Sequence, residues 1–290
     1  MSNYGSTFRR IRLGKGLSLE NVSKGIMSKQ GLSNFETGKT DIRISLLIDL
    51  LNRLQISIEE FVHDCEFQDS HQQSIEKLRL LYLRHNTDGL ASCSKYFQQK
   101  FLTSNNKQFL HLSIIADILL SNLQDRTIPI ADTLILVDYL KKIETWGVYE
   151  IELFGTTLSA LPIRNVKQIG NLILKKIPTI DEANTFSRYQ ASYLFFNIIS
   201  YLFDHNDIQD VPQMLQLVNS IHNCNDLHSS FLLTYYHELF DYFIGIVPSS
   251  DKCWHCILIL RDLGNAELLD VYSRDLKKRE LQRSYFQSSR

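Results

Sequence analysis

Four side chains in the stretch SKQGLSNFETGKT, residues 28–40, carry hydrogen-bonding chemistry at helical spacing: Lys29, Gln30, Ser33 and Asn34. The second pair follows the first by one turn, so the four share a side of one short helix, while Leu32 and Phe35 at i, i+3 form the opposite side. Exposed amides pair with adenine, and a lysine pairs with guanine or with phosphate. Lys39 and Arg43, just beyond, suit phosphates, which fix register without reading sequence. Ser28 is placed to cap the start of this helix, and Gly38 supplies the left-handed residue that ends it.

Such a helix needs a frame. Phe8, Ile11 and Arg12 lie on one side of a helix from about Tyr4 to Lys15, with Gly14 and Gly16 at its end. Ser18 caps a second helix that buries Val22 and Ile26. Ile44, Leu47, Leu51 and Leu54 predict a fourth helix, and Ser57 with Glu60 forms a capping box for a fifth that ends near Phe61. Five short helices in about sixty residues, the second and third joined by a tight turn, match the helix-turn-helix arrangement that sets its second element in the DNA major groove.

The charge distribution agrees. Residues 1–55 hold nine Lys and Arg against four acids, a net +5 that leaves −6 for the rest of a chain whose total is −1. A basic head on an acidic body suggests contact with a polyanion. With 290 residues, 44% apolar content, 12 Gly and 5 Pro, the chain reads as long helices around a sizeable core. The N-terminus lacks the apolar core of a signal peptide, and no run approaches the length of a membrane span, so a cytoplasmic protein without a membrane partner is expected. Five cysteines without framework spacing read as reduced thiols.

The run RRIRLGKGLSLENVSKGIMSKQGLSNFETGKTDIRISLLIDLLNRLQISIEEF resembles the Xre-type helix-turn-helix, and more closely that of the Rgg/GadR/MutR family of Gram-positive transcriptional regulators. The family pattern has counterparts at Arg12, Ser18, Gly25 to Ser28, Leu32 to Lys39 and Glu59 to Phe61. The resemblance implies a structural ion pair between Arg12 and Glu36, and a buried pair would explain an acid on a helix that must face phosphate.

A polar linker is expected near 63–70, where Ser70 and Gln73 suggest another capping box, dividing a DNA-binding domain at 1–66 from a helical domain at 67–290. Helix starts are predicted near His71, Gly89, Lys107, Pro129, Gly147, Pro162, Asp181, Asp207, Leu227, Lys252 and Asn265. In pairs they recur about every 35–45 residues, the period of helical hairpins of the tetratricopeptide type. The predicted fold class is therefore all-α, a five-helix head followed by a right-handed superhelix of tetratricopeptide-like hairpins.

YYHELFDYFIGI (235–246) and CILILRDLGNAELLDVYSRDL (256–276) look like the last helices of the Rgg C-terminal domain, so the resemblance spans essentially the whole chain. It implies a homodimer that binds promoter DNA, senses a short hydrophobic signalling peptide and possesses no cofactor; RNA polymerase is a further partner in this reading. An extended peptide needs amide side chains for its backbone and aromatic walls for its side chains. Arg188, Tyr193 and Asn197 on one helix, Arg164 and Asn171 on the preceding one, and Tyr235 and Tyr236 on a later one are the candidates, with Arg188 suited to a terminal carboxylate. An ordinary surface or interhelix role is the alternative for each.

Cys253-Trp-His-Cys256 has the CxxC spacing, but no second pair completes a zinc site and no βαβ context supports redox chemistry, so two half-buried helix thiols are expected. The run YLFFNIISYLF (193–203) is apolar on both faces and reads as a central helix interrupted only by Asn197. A second reading keeps the helical body as a protein-interaction module that sequesters a partner protein.

Overall fold

The computed structural model describes residues 4–65, 71–128, 130–144, 146–176 and 185–288, and all regular structure among the described residues is helical. The chain separates into two compact units, Met1–Lys77 and Leu78–Arg290.

The first unit contains α1 (Tyr4–Gly14), α2 (Leu19–Ser23), α3 (Lys29–Glu36), α4 (Ile44–Leu54) and α5 (Ile58–Asp64). Its core is Phe8, Ile11, Val22, Leu32, Phe35, Leu50, Leu51, Leu54 and Phe61. Phe8 sits at the centre, edge-on to Phe35 at 5.8 Å and to Phe61 at 6.4 Å between ring centroids. The caps are those the sequence predicts: Ser18 accepts from the Asn21 N–H, Ser28 from that of Gly31, and Ser57 and Glu60 form a reciprocal box.

Two positions differ from expectation. Ile26 lies in the turn after α2 and is half-buried, and Ile44, at the first position of α4, is 71% exposed. Leu50 takes the core position instead, because α4 turns its later residues inward and its N-terminal end outward. The helix α6 (His71–Leu83) spans the division between the units, which falls after Lys77 rather than at 66; the cap expected at Ser70 lies outside the described residues.

The second unit continues with α7 (Thr87–Ser104), α8 (Lys107–Leu123), α9 (Ile130–Lys142), α10 (Val148–Thr157), a 3₁₀ turn (Leu158–Ala160), α11 (Ile163–Lys176), α12 (Thr185–Asp204), α13 (Val211–Ile221), α14 (Leu227–Ile244), α15 (Asp251–Asp262) and α16 (Ala266–Ser288). Predicted starts at Pro129 and Asp181 fall outside the described residues; the others lie within a few residues of a helix start. Helices α8, α10, α12 and α14 pack consecutively side by side, and α9 packs on α11. This is a helical-repeat domain. Its central member α12 buries Leu194, Phe195, Phe196, Ile198, Ile199, Leu202 and Phe203, which is why its sequence shows no amphipathic stripe.

Helix α16 closes the unit through charge as much as through packing. Arg279 is fully buried, donating to Asp204 at 2.6 Å, pairing with Asp275 at 2.9 Å, and lying over the Phe203 ring. Lys278 also reaches Asp204. Arg283 covers the Tyr242 ring at 4.0 Å and donates to the carbonyl of Pro248 at 3.1 Å.

Candidate functional site

The polar face of α3 is held outward by what is buried beneath it. Leu32 and Phe35 enter the core, and Glu36, 5% exposed, takes a two-point bond from Arg12 of α1: Nε to Oε1 at 2.6 Å and Nη2 to Oε2 at 2.8 Å. The remaining guanidinium nitrogen, Nη1, donates to the Leu17 carbonyl at 2.6 Å. The bond to Glu36 outweighs desolvation and holds the Arg12 pKa above its ordinary value. One fork thus fixes α3 on α1 and closes the loop before α2.

A second contact sets the distance between α1 and α3. At Gly5 an added Cβ would stand 1.9 Å from the Phe35 carbonyl oxygen, so the two backbones meet where only a glycine fits. The turn between α2 and α3 passes through Gly25 at φ +78°, and Arg53 of α4 closes the end of α2 by donating to the carbonyls of Lys24 and Asn21.

On this frame Lys29, Gln30, Lys39 and Arg43 are exposed, and Ser33 and Asn34 are half-exposed. Lys29 lies 3.8 Å from Glu20 in a solvent-exposed pair, and Gln30 Nε2 donates to Asn34 Oδ1 at 3.0 Å. All six therefore share the accessible margin of one unit. Sequence reasoning missed Gly5 and Arg53, because neither a glycine within a helix nor an arginine on one announces a partner remote along the chain.

In the second unit the seven candidates divide. Asn197 is exposed on α12 and its amide lies beside Gly155 of α10, where an added Cβ would come within 3.8 Å of Nδ2. Tyr193, one turn earlier, is half-buried, and its hydroxyl donates to Asp226 at 2.8 Å and meets His228 Nδ1 at 3.2 Å. Ser200 and Asp204 continue the same stripe at i+3 and i+7 from Asn197, and both are contacted by Arg279. That spacing, 193, 197, 200, 204, is the signal that would have found them.

Asn171 belongs elsewhere, lining a cleft of about 590 Å³ between α11 and α13 with Lys175, Gln213 and Gln216. Arg164 is exposed on α11, and the side chain of Arg188 lies outside the described ones.

Tyr235 and Tyr236 are corrected. They are 0% and 5% exposed, Tyr235 donates to Asp275 at 2.9 Å, and Tyr236 stacks between Phe196 and Phe203. Burial raises the pKa of both phenols. Two adjacent tyrosines can both be internal because α14 is covered by α12 and α13 as well as by α15. They form core rather than groove wall.

Cys253 and Cys256 are both buried, and burial pushes the Cys253 thiol up to about 12, so it is held as an unreactive thiol. All five cysteines are unpaired, and no helix among the described residues is long and apolar enough to cross a membrane.

The fold and the exposed α3 define a helix-turn-helix protein with a helical-repeat body. The helix-turn-helix family model matches residues 8–61, and that described as "HTH-type transcriptional regulator Rgg, C-terminal domain" matches 92–274, so the chain belongs to the Rgg family of transcriptional regulators. Among solved structures, the Streptococcus dysgalactiae SHP pheromone receptor Rgg2(C45S) is 22% identical with a TM-score of 0.77, covering 95% of this chain and 99% of that one. The PrgX/cCF10 complex is 14% identical with a TM-score of 0.78, covering 97% and 93%. A bacterial peptide pheromone/receptor complex is 15% identical with a TM-score of 0.76, covering 97% and 99%. These likenesses extend the shared fold over nearly the entire chain.

Proposed function

We propose that this regulator binds promoter DNA through α3 and is controlled by a short apolar signalling peptide held on the α10–α12 face of its repeat domain. The observation that carries the DNA half is the Arg12–Glu36 fork beneath an exposed row of Lys29, Gln30, Ser33 and Asn34: it removes the one acid of α3 from the surface presented to phosphate. Lys39 and Arg43, exposed just beyond α3, hold phosphates in this reading. For the peptide half, Asn197 supplies an amide that can satisfy an extended backbone, and Gly155 beside it leaves room for close approach. Arg164, Asn171 and Tyr193 are peripheral candidates in this reading. Pheromone receptors and peptide complexes of the same fold support it.

The acting species is a homodimer, with two heads addressing half-sites about 34 Å apart or a multiple of that. Its outputs are read by RNA polymerase at the promoter. A coupling of about 1–3 kcal/mol between peptide and DNA sites is enough to change occupancy several-fold.

Footprinting of the full chain on the fragment upstream of its own gene tests both halves, with and without short apolar synthetic peptides. The expected result is paired protected half-sites whose occupancy the peptide shifts, with Asn197→Ala retaining the footprint and losing the shift. A chain that protects no sequence contradicts the DNA half; a footprint indifferent to peptides that bind the chain contradicts the control.

A further inference from the structure

We propose that the pocket between α14, α15 and the start of α16 binds a small neutral molecule, an apolar alcohol or phenol whose hydroxyl donates to Nε2 of His228. The proposal rests on neither the DNA nor the peptide reading above. It starts from a cavity of about 390 Å³ walled by Leu227 and Phe231 of α14, Ile259 of α15, Leu263 just beyond it and Leu268 of α16. That volume lies in the range of small-ligand sites, and walls of this kind favour an apolar body.

Polar atoms in such a wall decide what else the ligand must carry. The Thr234 hydroxyl is turned back on the Ser230 carbonyl at 2.9 Å, and Asn265 uses its side-chain oxygen to cap the Leu268 N–H at 3.1 Å. Ser230 has a hydroxyl that can give or receive, so it imposes no preference. His228 is different. Its Nδ1 meets the Tyr193 hydroxyl at 3.2 Å, while Nε2 is buried and has no hydrogen-bond partner. Tyr193 stands outside the pocket wall, so Nε2 is the ring nitrogen left for the pocket.

The proton arrangement is set from outside. Asp226 caps α14 with Oδ1, which accepts from the His228 backbone N–H at 3.1 Å, and its Oδ2 accepts the single proton of the Tyr193 hydroxyl at 2.8 Å. The phenol oxygen can then only accept from the imidazole, so Nδ1 carries the ring proton. Burial lowers the His228 pKa against the opposing pull of Asp226, which keeps the ring neutral at neutral pH. In that tautomer Nε2 is a bare acceptor. A buried acceptor without a donor is costly, and a ligand hydroxyl removes the cost. A carboxylate ligand would instead set oxygen lone pairs against that of Nε2 with no proton between them.

Calorimetric titration of the full chain with three probes of one shape tests this: 2-naphthol, its methyl ether 2-methoxynaphthalene, and 2-naphthoate. Naphthol should bind about tenfold more tightly than the ether, the worth of one hydrogen bond to a buried acceptor, and naphthoate should bind more weakly than naphthol. His228→Phe should make naphthol and ether equal. Tyr193→Phe alters no residue of the wall, yet it releases the Nδ1 proton to move to Nε2 and should narrow the gap as well. Nitrogen NMR of His228 should show the proton on Nδ1 in the wild type. Ile259→Trp, which fills the cavity from a partly exposed position, should abolish binding of both. Melting curves check that the variants are folded, and the wild-type comparison stands without them. Equal binding of naphthol and ether to the wild type would mark an apolar face covered by a second copy of the chain or by a peptide, and overturns the proposal. So does a wild type that binds neither, one that prefers naphthoate, or naphthol binding that Ile259→Trp leaves intact.

Discussion

Gly5 and the Arg12–Glu36 pair bear the most weight for their size. A glycine in a helix is ordinarily a defect that alanine repairs by up to about 1 kcal/mol. At Gly5 the methyl would meet backbone atoms of Phe35 and Glu36, which cannot turn aside, so Gly5→Ala should instead destabilise the head by about 2–3 kcal/mol, the upper range for overpacking. Gly14, with open space around the corresponding position, serves as control and should tolerate alanine in the same melting experiment. Arg12→Met alone leaves a buried carboxylate unpaired and should cost about 3–5 kcal/mol, whereas Arg12→Met combined with Glu36→Leu should recover much of that loss. Equal costs for the single and double variants in denaturant titrations would contradict the pairing. Of these features the sequence reveals the pair only through its family pattern, since residues 24 apart carry no local periodicity. Gly5 is invisible because its neighbour, the Phe35 carbonyl, exists only once α1 and α3 have packed.

Among the helices, those of the head are readable because each carries its own punctuation: Ser18, Ser28 and Ser57 cap where they are expected to. The repeat-domain starts are readable for the same reason. Faces are harder to read. Helices enclosed on several sides, such as α12 and α14, lose the apolar stripe that distinguishes inside from outside, and tyrosine chemistry suits a core as well as a groove, as the buried Tyr235 and Tyr236 show, while the polar interruption Asn197 does reach the surface. The attachment of α16 has a testable acid sensitivity. Burial raises the Asp204 pKa, but its bonds to Lys278 and Arg279 prevail and hold it below the ordinary carboxylate value. A depressed folded pKa contributes stability above the unfolded value, about 3.9, and that stability is lost as pH falls through the lower folded one. Acid titration of the full chain followed by hydrogen exchange at α16 should therefore show protection falling in this window. Asp204→Asn should weaken α16 at neutral pH and flatten its dependence there; an unchanged profile would remove Asp204 from the attachment.

Across the whole chain the placement of charge is the feature that composition alone conceals: residues 1–55, which hold α1 to α4, carry +5 within a total of −1, while α5 is acidic. The head accordingly supplies electrostatic attraction to phosphate, while α3 supplies the base-directed groups. A variant that removes a phosphate contact should weaken binding to every duplex alike, unlike the base-specific change expected from Gln30. The most direct test of the account is the affinity of the full chain for the fragment upstream of its own gene across a salt series, for wild type, Lys39→Ala and Arg43→Ala. The prediction is a linear fall of log affinity with log salt concentration, less steep by roughly 0.9 for each phosphate contact removed. Binding that ignores salt, or variants that leave both slope and affinity unchanged, would contradict it.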